Sequence, residues 1–273
     1  MLKVTTVNVN GIRAAARKDM AEWLKVANPD ILCLQEVRAP QGELLALAVD
    51  GPLAIEGGWN IYDHEASAKG RAGVAILSKQ PALEVRVELG PEEFDSAGRW
   101  LEADFETPSG IFTVVSVYVH SGEVDTPKQV EKYKFLNAMS ERMQWLIDNR
   151  DYAVVVGDLN VGHTELDIKN WKGNVKRAGF LPQERAYFDR FMGAAGQSVT
   201  GADGSTGPGL GWVDVGREAA GQVPGPYTWW SWRGQAFDND AGWRIDYHLA
   251  TPALAALATH YTVDRAESYD TRW

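Results

Sequence analysis

The chain has 273 residues, 45% hydrophobic and 23% charged, the balance of a folded protein with a sizeable core. A net charge of −10 argues against binding nucleic acid by bulk electrostatics, but leaves room for a local basic groove or for carboxylates gathered around a metal. No run of about eighteen apolar residues suggests a membrane span, and a single cysteine, Cys33, rules out an internal disulfide.

In chain order, the N-terminus lacks a basic stretch followed by an apolar one, so it reads as a first strand and points to a cytoplasmic protein. That strand, LKVTTVNVN at 2–10, runs into Asn8, Asn10 and Gly11. Residues 17–27 place Met20, Trp23, Leu24 and Ala27 on one helical face. DILCLQE at 30–36 is a second strand ending in Gln35 and Glu36, with Cys33 buried in it, and AGVAILS at 72–78 is a third. FTVVSVYVH at 112–120 carries Tyr118 and His120 near its end. A helix over 128–149 is predicted from Phe135, Leu136, Met139, Met143, Leu146 and Ile147, with Asp125 or Thr126 as N-cap and Pro127 at its first position. YAVVVGDLN at 152–160 ends in Asp158 and Asn160, and RIDYHLA at 244–250 contributes Asp246. The Gly/Pro-rich stretches 201–211 and 221–226 read as loops, and ATHYTVD at 258–264, with His260, as a strand. The alternation predicts a layered α/β protein forming one domain over 1–273, without repeats or low-complexity tails.

Polar residues gather at the C-terminal ends of these strands, where open α/β sheets bind ligands. Glu36 and Asp158 are hard oxygen donors, and Asn8, Asn10 and Asn160 add neutral oxygens or amide donors. Such a set suits Mg²⁺, which uses one or two carboxylates, several waters and a substrate phosphate. No Cys/His cluster favours zinc. Each residue also has a plainer reading: Asp158 and Asn160 as an Asx turn, Asn8 and Asn10 as a turn before Gly11, Glu36 as an exposed acid. Tyr118 would then be core, and Asp246 an ion pair with Arg244. The recurrence of such residues at five strand ends favours a site.

The segments NVNGIR at 8–13, LQE at 34–36, AGVAILS, VYVH at 117–120, GDLN at 157–160, GFLPQER at 179–185 and WRIDYHL at 243–249 follow one another in a telling order. Together they closely resemble the exodeoxyribonuclease III and apurinic/apyrimidinic endonuclease family, within the endonuclease/exonuclease/phosphatase superfamily. GDLN is shared across the superfamily. The stretch KNWKGNVKRAGFLPQER at 169–185, followed by PYTWWSW at 226–232 and GWRIDY at 242–247, is typical of its DNA-repair branch. The resemblance implies a two-sheet α/β sandwich flanked by helices. It implies Glu36 as main Mg²⁺ ligand (Mn²⁺ substituting), with Asn8, Asn10 and Asp158 lining the metal site. Asp158 would orient or deprotonate the attacking water, Asn160 would stabilise phosphate charge, Tyr118 would donate to a phosphate oxygen, and Asp246 would support catalysis. The implied reaction is hydrolysis 5′ to abasic sites in base excision repair, beside 3′→5′ exonuclease and 3′-phosphatase activity on duplex DNA, by a monomer of the bacterial cytoplasm or nucleoid.

DNA would meet the local basic stretch of Lys169, Lys172, Lys176, Arg177 and Arg185. Four of the eleven tryptophans fall at 229, 230, 232 and 243. Of these, Trp229 and Trp243 match the family's pocket for a flipped-out sugar. Two departures stand out. VHSGEV follows Tyr118 where the family commonly has Pro-Asn, and the sequence stops at Arg272-Trp273, where a Ser-Asp-His triplet and one more strand would follow. Without that Asp-His pair the expectation is a chain slowed about 10²–10³-fold, restored by adding the missing residues. The other readings are a catalytically impaired DNA-binding or scaffold protein, and a phosphoesterase of the same superfamily.

Overall fold

The computed structural model describes residues 1–272, and the chain forms two compact units. The first holds residues 1–118, residues 155–158 and the C-terminal segment from Ala266. The second holds residues 119–154 and 159–265.

In the first unit, β1 (Val4–Asn8) and β2 (Ile31–Gln35) pair in parallel, with Asn8 opposite Gln35. β3 (Asn60–His64) and β4 (Val74–Ser78) complete a four-stranded sheet of order β1-β2-β4-β3. Both faces of β2 are covered, as its unbroken apolar run requires. On one side Leu32 and Leu34 join Ile12, Met20, Leu24 and Leu44 from α1 (Ile12–Ala16), α2 (Met20–Ala27) and α3 (Gln41–Val49) in one apolar cluster. On the other side lies a second sheet of β5 (Glu84–Arg86), β6 (Trp100–Thr107), β7 (Gly110–Tyr118) and the last four residues of β8 (Tyr152–Asp158). The two sheets are joined by Gln35, whose Nε2 donates to Ser116 Oγ at 3.0 Å while its Oε1 accepts from Thr6. The expected two-sheet α/β sandwich is therefore present here. Gln35, buried and hydrogen-bonded at both its oxygen and its nitrogen, is part of its packing.

The second unit is built on α4 (Pro127–Asn149), which buries Phe135, Leu136, Met139, Met143 and Leu146 as its periodicity requires. Thr126 is its N-cap and Pro127 opens it, yet the Thr126 hydroxyl donates to the Glu123 carbonyl and does not cap. α5 (Pro182–Met192) packs beside α4. A hairpin joins β9 (Ser198–Thr200) to β10 (Thr206–Pro208), so the 201–211 stretch is a loop only in part. β11 (Val213–Asp214) leads into α6 (Val215–Ala220), and β12 (Trp229–Trp230) pairs with β13 (Gly242–Trp243). β14 (Asp246–Ala250) pairs with β11 and is followed by α7 (Pro252–Ala255).

The segment ATHYTVD is not a strand: no ladder engages residues 258–264. Tyr261 instead sets its ring edge-on to His248, 5.7 Å between centroids. Its alternating pattern had no partner strand to pair with, and alternation alone cannot supply one. Among the described residues no helix is long and apolar enough to cross a membrane.

Candidate active site

The first unit brings four strand ends together. Parallel pairing of β1 with β2 sets Asn8 beside the position from which Glu36 leaves the sheet. The Asn8 amide nitrogen donates to Glu36 Oε1 and to Asp158 Oδ2, both at 2.8 Å. Its own oxygen accepts the Asn10 backbone N–H at 2.9 Å. One short side chain thus spans two carboxylates and fixes their separation. Both acids are buried, at 9% exposed for Glu36 and 5% for Asp158, so neither is an ordinary surface acid. Asn10 is exposed and meets the cluster through its backbone.

The backbone is bent to make this arrangement. Asn10, Glu36 and Arg38 sit at φ 45°, 50° and 52°, in the left-handed region that costs a non-glycine residue about 1 kcal/mol or more. Such conformations persist where surroundings over-determine them, and the Gly11 N–H to Glu36 carbonyl bond at 2.8 Å is one such restraint. Gly157 of the GDLN motif is required by close approach: a Cβ there would collide with the Val117 carbonyl of β7.

Tyr118 ends β7, half-buried. Burial first, then the Glu36 and Asp158 carboxylates, push its hydroxyl above the ordinary phenol value, while Arg99 and Arg38 pull it back. The phenol is therefore a protonated donor throughout the physiological range. Two arginines the sequence reading passed over belong to this cluster. Arg38 forms an ion pair with Glu36 Oε2, and the Arg99 guanidinium lies 5.3 Å from the centre of the Tyr118 ring. An open groove is lined by Gly11, Arg13, Ala14, Arg17, Arg38 and Gly70, in which Arg13 pairs with Glu43 and Arg38 with Glu36. NGIR in the sequence already carried its first arginine.

In the second unit, Asn160 is half-buried at φ 50°, and its Nδ2 donates to the Val119 carbonyl at 2.8 Å. The Asp246 backbone N–H donates to Thr228 Oγ1 at 3.2 Å, and withdrawal of its carboxyl from solvent pushes it up to about 7, with a Thr228 side-chain hydrogen bond acting against the rise. The alternative Asp246–Arg244 ion pair does not form. Arg244 instead bonds Asp167 through Nε at 2.7 Å and grips Asp214 through both terminal nitrogens at 3.0 and 2.7 Å. Arg244 lies between β13 and β14, outside either strand, where the long-range partners Asp167 and Asp214 take its side-chain hydrogen bonds.

Trp229 and Trp243 face one another across the β12–β13 ladder, ring centroids 6.2 Å apart and nearly perpendicular. Trp229 is exposed, Trp243 half-buried, and Trp230 buried with its indole N–H on Asp240. Lys169, Lys172, Lys176 and Arg177 are exposed, but Arg185 is engaged: its Nε donates to the His163 carbonyl at 2.7 Å and Nη2 to Glu165 at 3.0 Å. The basic stretch therefore presents its cations from Lys169 to Arg177.

The donor chemistry fits a hard divalent cation. Among the described residues no group of three or more His, Cys, Asp or Glu side chains forms a complete cage. The set on offer is two buried carboxylates held at a fixed spacing by an amide, which matches the few protein ligands Mg²⁺ takes.

The model of the Endonuclease/Exonuclease/phosphatase family matches residues 5–268. A Bacillus subtilis protein named exodeoxyribonuclease is 34% identical over 263 residues, spanning 93% of this chain and 89% of its own. A Danio rerio protein named DNA repair nuclease APEX1 is 32% identical, spanning 93% of this chain and 74% of its own. Among solved structures, a 3′ phosphatase from Neisseria bound to product DNA hairpin superposes with a TM-score of 0.76 at 27% identity, over 94% of this chain and 89% of that one. The chain belongs to the endonuclease/exonuclease/phosphatase family, in its exodeoxyribonuclease III and AP endonuclease group.

Proposed function

We propose that the chain is a Mg²⁺-dependent DNA repair nuclease that hydrolyses the phosphodiester 5′ to abasic sites, with 3′→5′ exonuclease and 3′-phosphatase activity on duplex DNA. The observation that carries this reading is the Asn8 amide bridging Glu36 and Asp158. Two carboxylates held side by side by one amide suit a cation, and Arg38 pairs with Glu36. Mg²⁺, when bound by Glu36 and Asp158, would polarise a phosphate oxygen and stabilise the leaving alkoxide.

The remaining roles fall to the chain itself. Asp158 orients a water and takes its proton, a contribution of about 10²–10⁴-fold for a positioned base. Tyr118, held protonated by burial, donates to a non-bridging phosphate oxygen. In this reading Asn160 would stabilise charge on the phosphate, and Asp246 would support catalysis. The arginine groove and the Lys169–Arg177 stretch take phosphates of the duplex, and Trp229 with Trp243 receives a sugar turned out of the stack. Family membership over residues 5–268 supports treating the whole as one catalytic domain.

The test is incision of a duplex carrying one abasic site. Wild type is expected to cut 5′ to the lesion, to stop on adding EDTA, and to lose about 10²–10⁴-fold in Asp158→Asn. Tight duplex binding without incision would replace the enzyme reading with that of a DNA-binding protein. Faster turnover of a small phosphomonoester than of DNA would replace it with that of a general phosphoesterase.

A further inference from the structure

Lys132 lies on the buried face of α4, in helical register with Phe135, Leu136 and Met139, and has no exposed surface. Its three ammonium donors reach three different segments: the Ser121 carbonyl at 3.2 Å, the Asn160 carbonyl at 3.0 Å and Glu184 Oε1 at 2.7 Å. Glu184, also without exposed surface, accepts as fully as Lys132 gives. Its Oε1 takes Gln129 Nε2 at 3.0 Å besides Lys132, and its Oε2 takes the backbone N–H groups of Gly179 at 2.6 Å and Leu181 at 3.0 Å. As third residue of α5, it thereby closes that helix's N-terminus.

A buried ion pair gives little net stability over a well-packed apolar pair, so stability alone is a weak reason for this one. What it does uniquely is fix positions. Asn160 holds a left-handed φ of 50° that its surroundings must enforce. Lys132 holds its carbonyl, and Val119 holds its side-chain amide. Gly179 sits against the same carbonyl and the Trp243 ring, at contacts its absent Cβ would tighten to 3.2 and 3.0 Å. Gly122, in the loop that departs from the family pattern, lets the chain lie against Lys132 and Gln129 where a Cβ would clash.

We propose that Lys132 and Glu184 are a positioning pair for the reaction: they hold the loop after β7, the Asn160 turn and the Gly179 turn in one register, so that the Asn160 amide is set before substrate arrives. This rests on the reading that Asn160 contacts the scissile phosphate. Misplacement of a reacting group by about 1 Å costs about 10²-fold, so the effect belongs in kcat.

The experiment compares full-length wild type, Lys132→Met, Glu184→Gln, Lys132→Arg and Asn160→Ala by steady-state incision of an abasic duplex. In parallel, the side-chain amide resonance of Asn160 is followed in ¹⁵N-labelled protein without DNA. Lys132→Met is expected to lower kcat about 10²-fold at unchanged KM and to shift or broaden that resonance, with Lys132→Arg recovering part of both. A folded Lys132→Met with the wild-type resonance and wild-type kcat overturns the proposal. If Lys132→Met does not fold, Glu184→Gln, which keeps the shape and removes the charge, is read by the same two outcomes. Asn160→Ala separates the underlying reading: full kcat there refutes the role of Asn160, while the resonance shift in Lys132→Met would still report the positioning.

Discussion

Two of the acidic clusters in this molecule are built in opposite ways. Around Arg244, the carboxylates of Asp167 and Asp214 are met by two guanidiniums: Arg244 bonds both acids, and Arg217 adds a 2.6 Å bond to Asp167. The Asp167 carboxylate is held below its ordinary range: burial would raise it, but the Arg244 charge and its hydrogen bonds outweigh that. Positive and negative charges balance, and every partner is protein. At the strand ends of the first unit, Glu36 and Asp158 share a neutral amide, and Arg38 pairs with Glu36. That cluster sets its acids at a fixed spacing through a neutral amide. The first arrangement is a fastener, and the second is a socket.

The comparison breaks most sharply at Arg244. Arg244→Met should leave two buried carboxylates with too little positive charge, costing about 3–5 kcal/mol by urea denaturation. Loss of less than about 1 kcal/mol would mean that the cluster is not a fastener. At the socket, Asn8→Ala removes the spacer without removing an acid, so the fold should persist while Mg²⁺ affinity falls about 10–100-fold, as for other partners that orient metal ligands. Unchanged affinity would show that the acids do not depend on Asn8 for their spacing.

The smallest effect concerns Asp246, an acid raised to about 7 in the folded chain against about 3.9 unfolded. The folded state then holds a proton that the unfolded state has released between those values. Its contribution is fully present below about pH 4 and is lost as pH rises through about 7. Asp246→Asn should therefore flatten the fall in Tm between pH 5 and pH 8. An equal fall in wild type and variant would assign that slope to another group.

Much of the socket was legible in the sequence because its residues interrupt apolar runs at strand ends. Parallel pairing then carries Asn8 and Glu36 to the same edge, which follows from β1 and β2 once both are recognised. What was not legible depends on partners far apart in the chain. Lys132 stood at core spacing in α4, but nothing near it announced Glu184, 52 residues on. Arg244 looked paired with Asp246, its neighbour by two, whereas the fold offered Asp167 and Asp214, 77 and 30 residues away. Arg185 counted as free charge until Glu165 and the His163 carbonyl came to meet it. Local pattern finds β1, β2, β4, β7, β8, β14, α2 and α4 but passes over β6 and α5, and it overreaches at ATHYTVD, where alternation is present and no ladder forms. Long-range ion pairs leave no periodic trace, because only the folded backbone sets their distance.

The most direct measurement is calorimetric titration of the metal-free protein with Mg²⁺, comparing wild type with Glu36→Gln and Arg217→Met. The expected result is saturable binding in wild type, retained in Arg217→Met and lost in Glu36→Gln. Binding of equal strength in Glu36→Gln would contradict the claim that the Asn8-spaced carboxylates are the cation site.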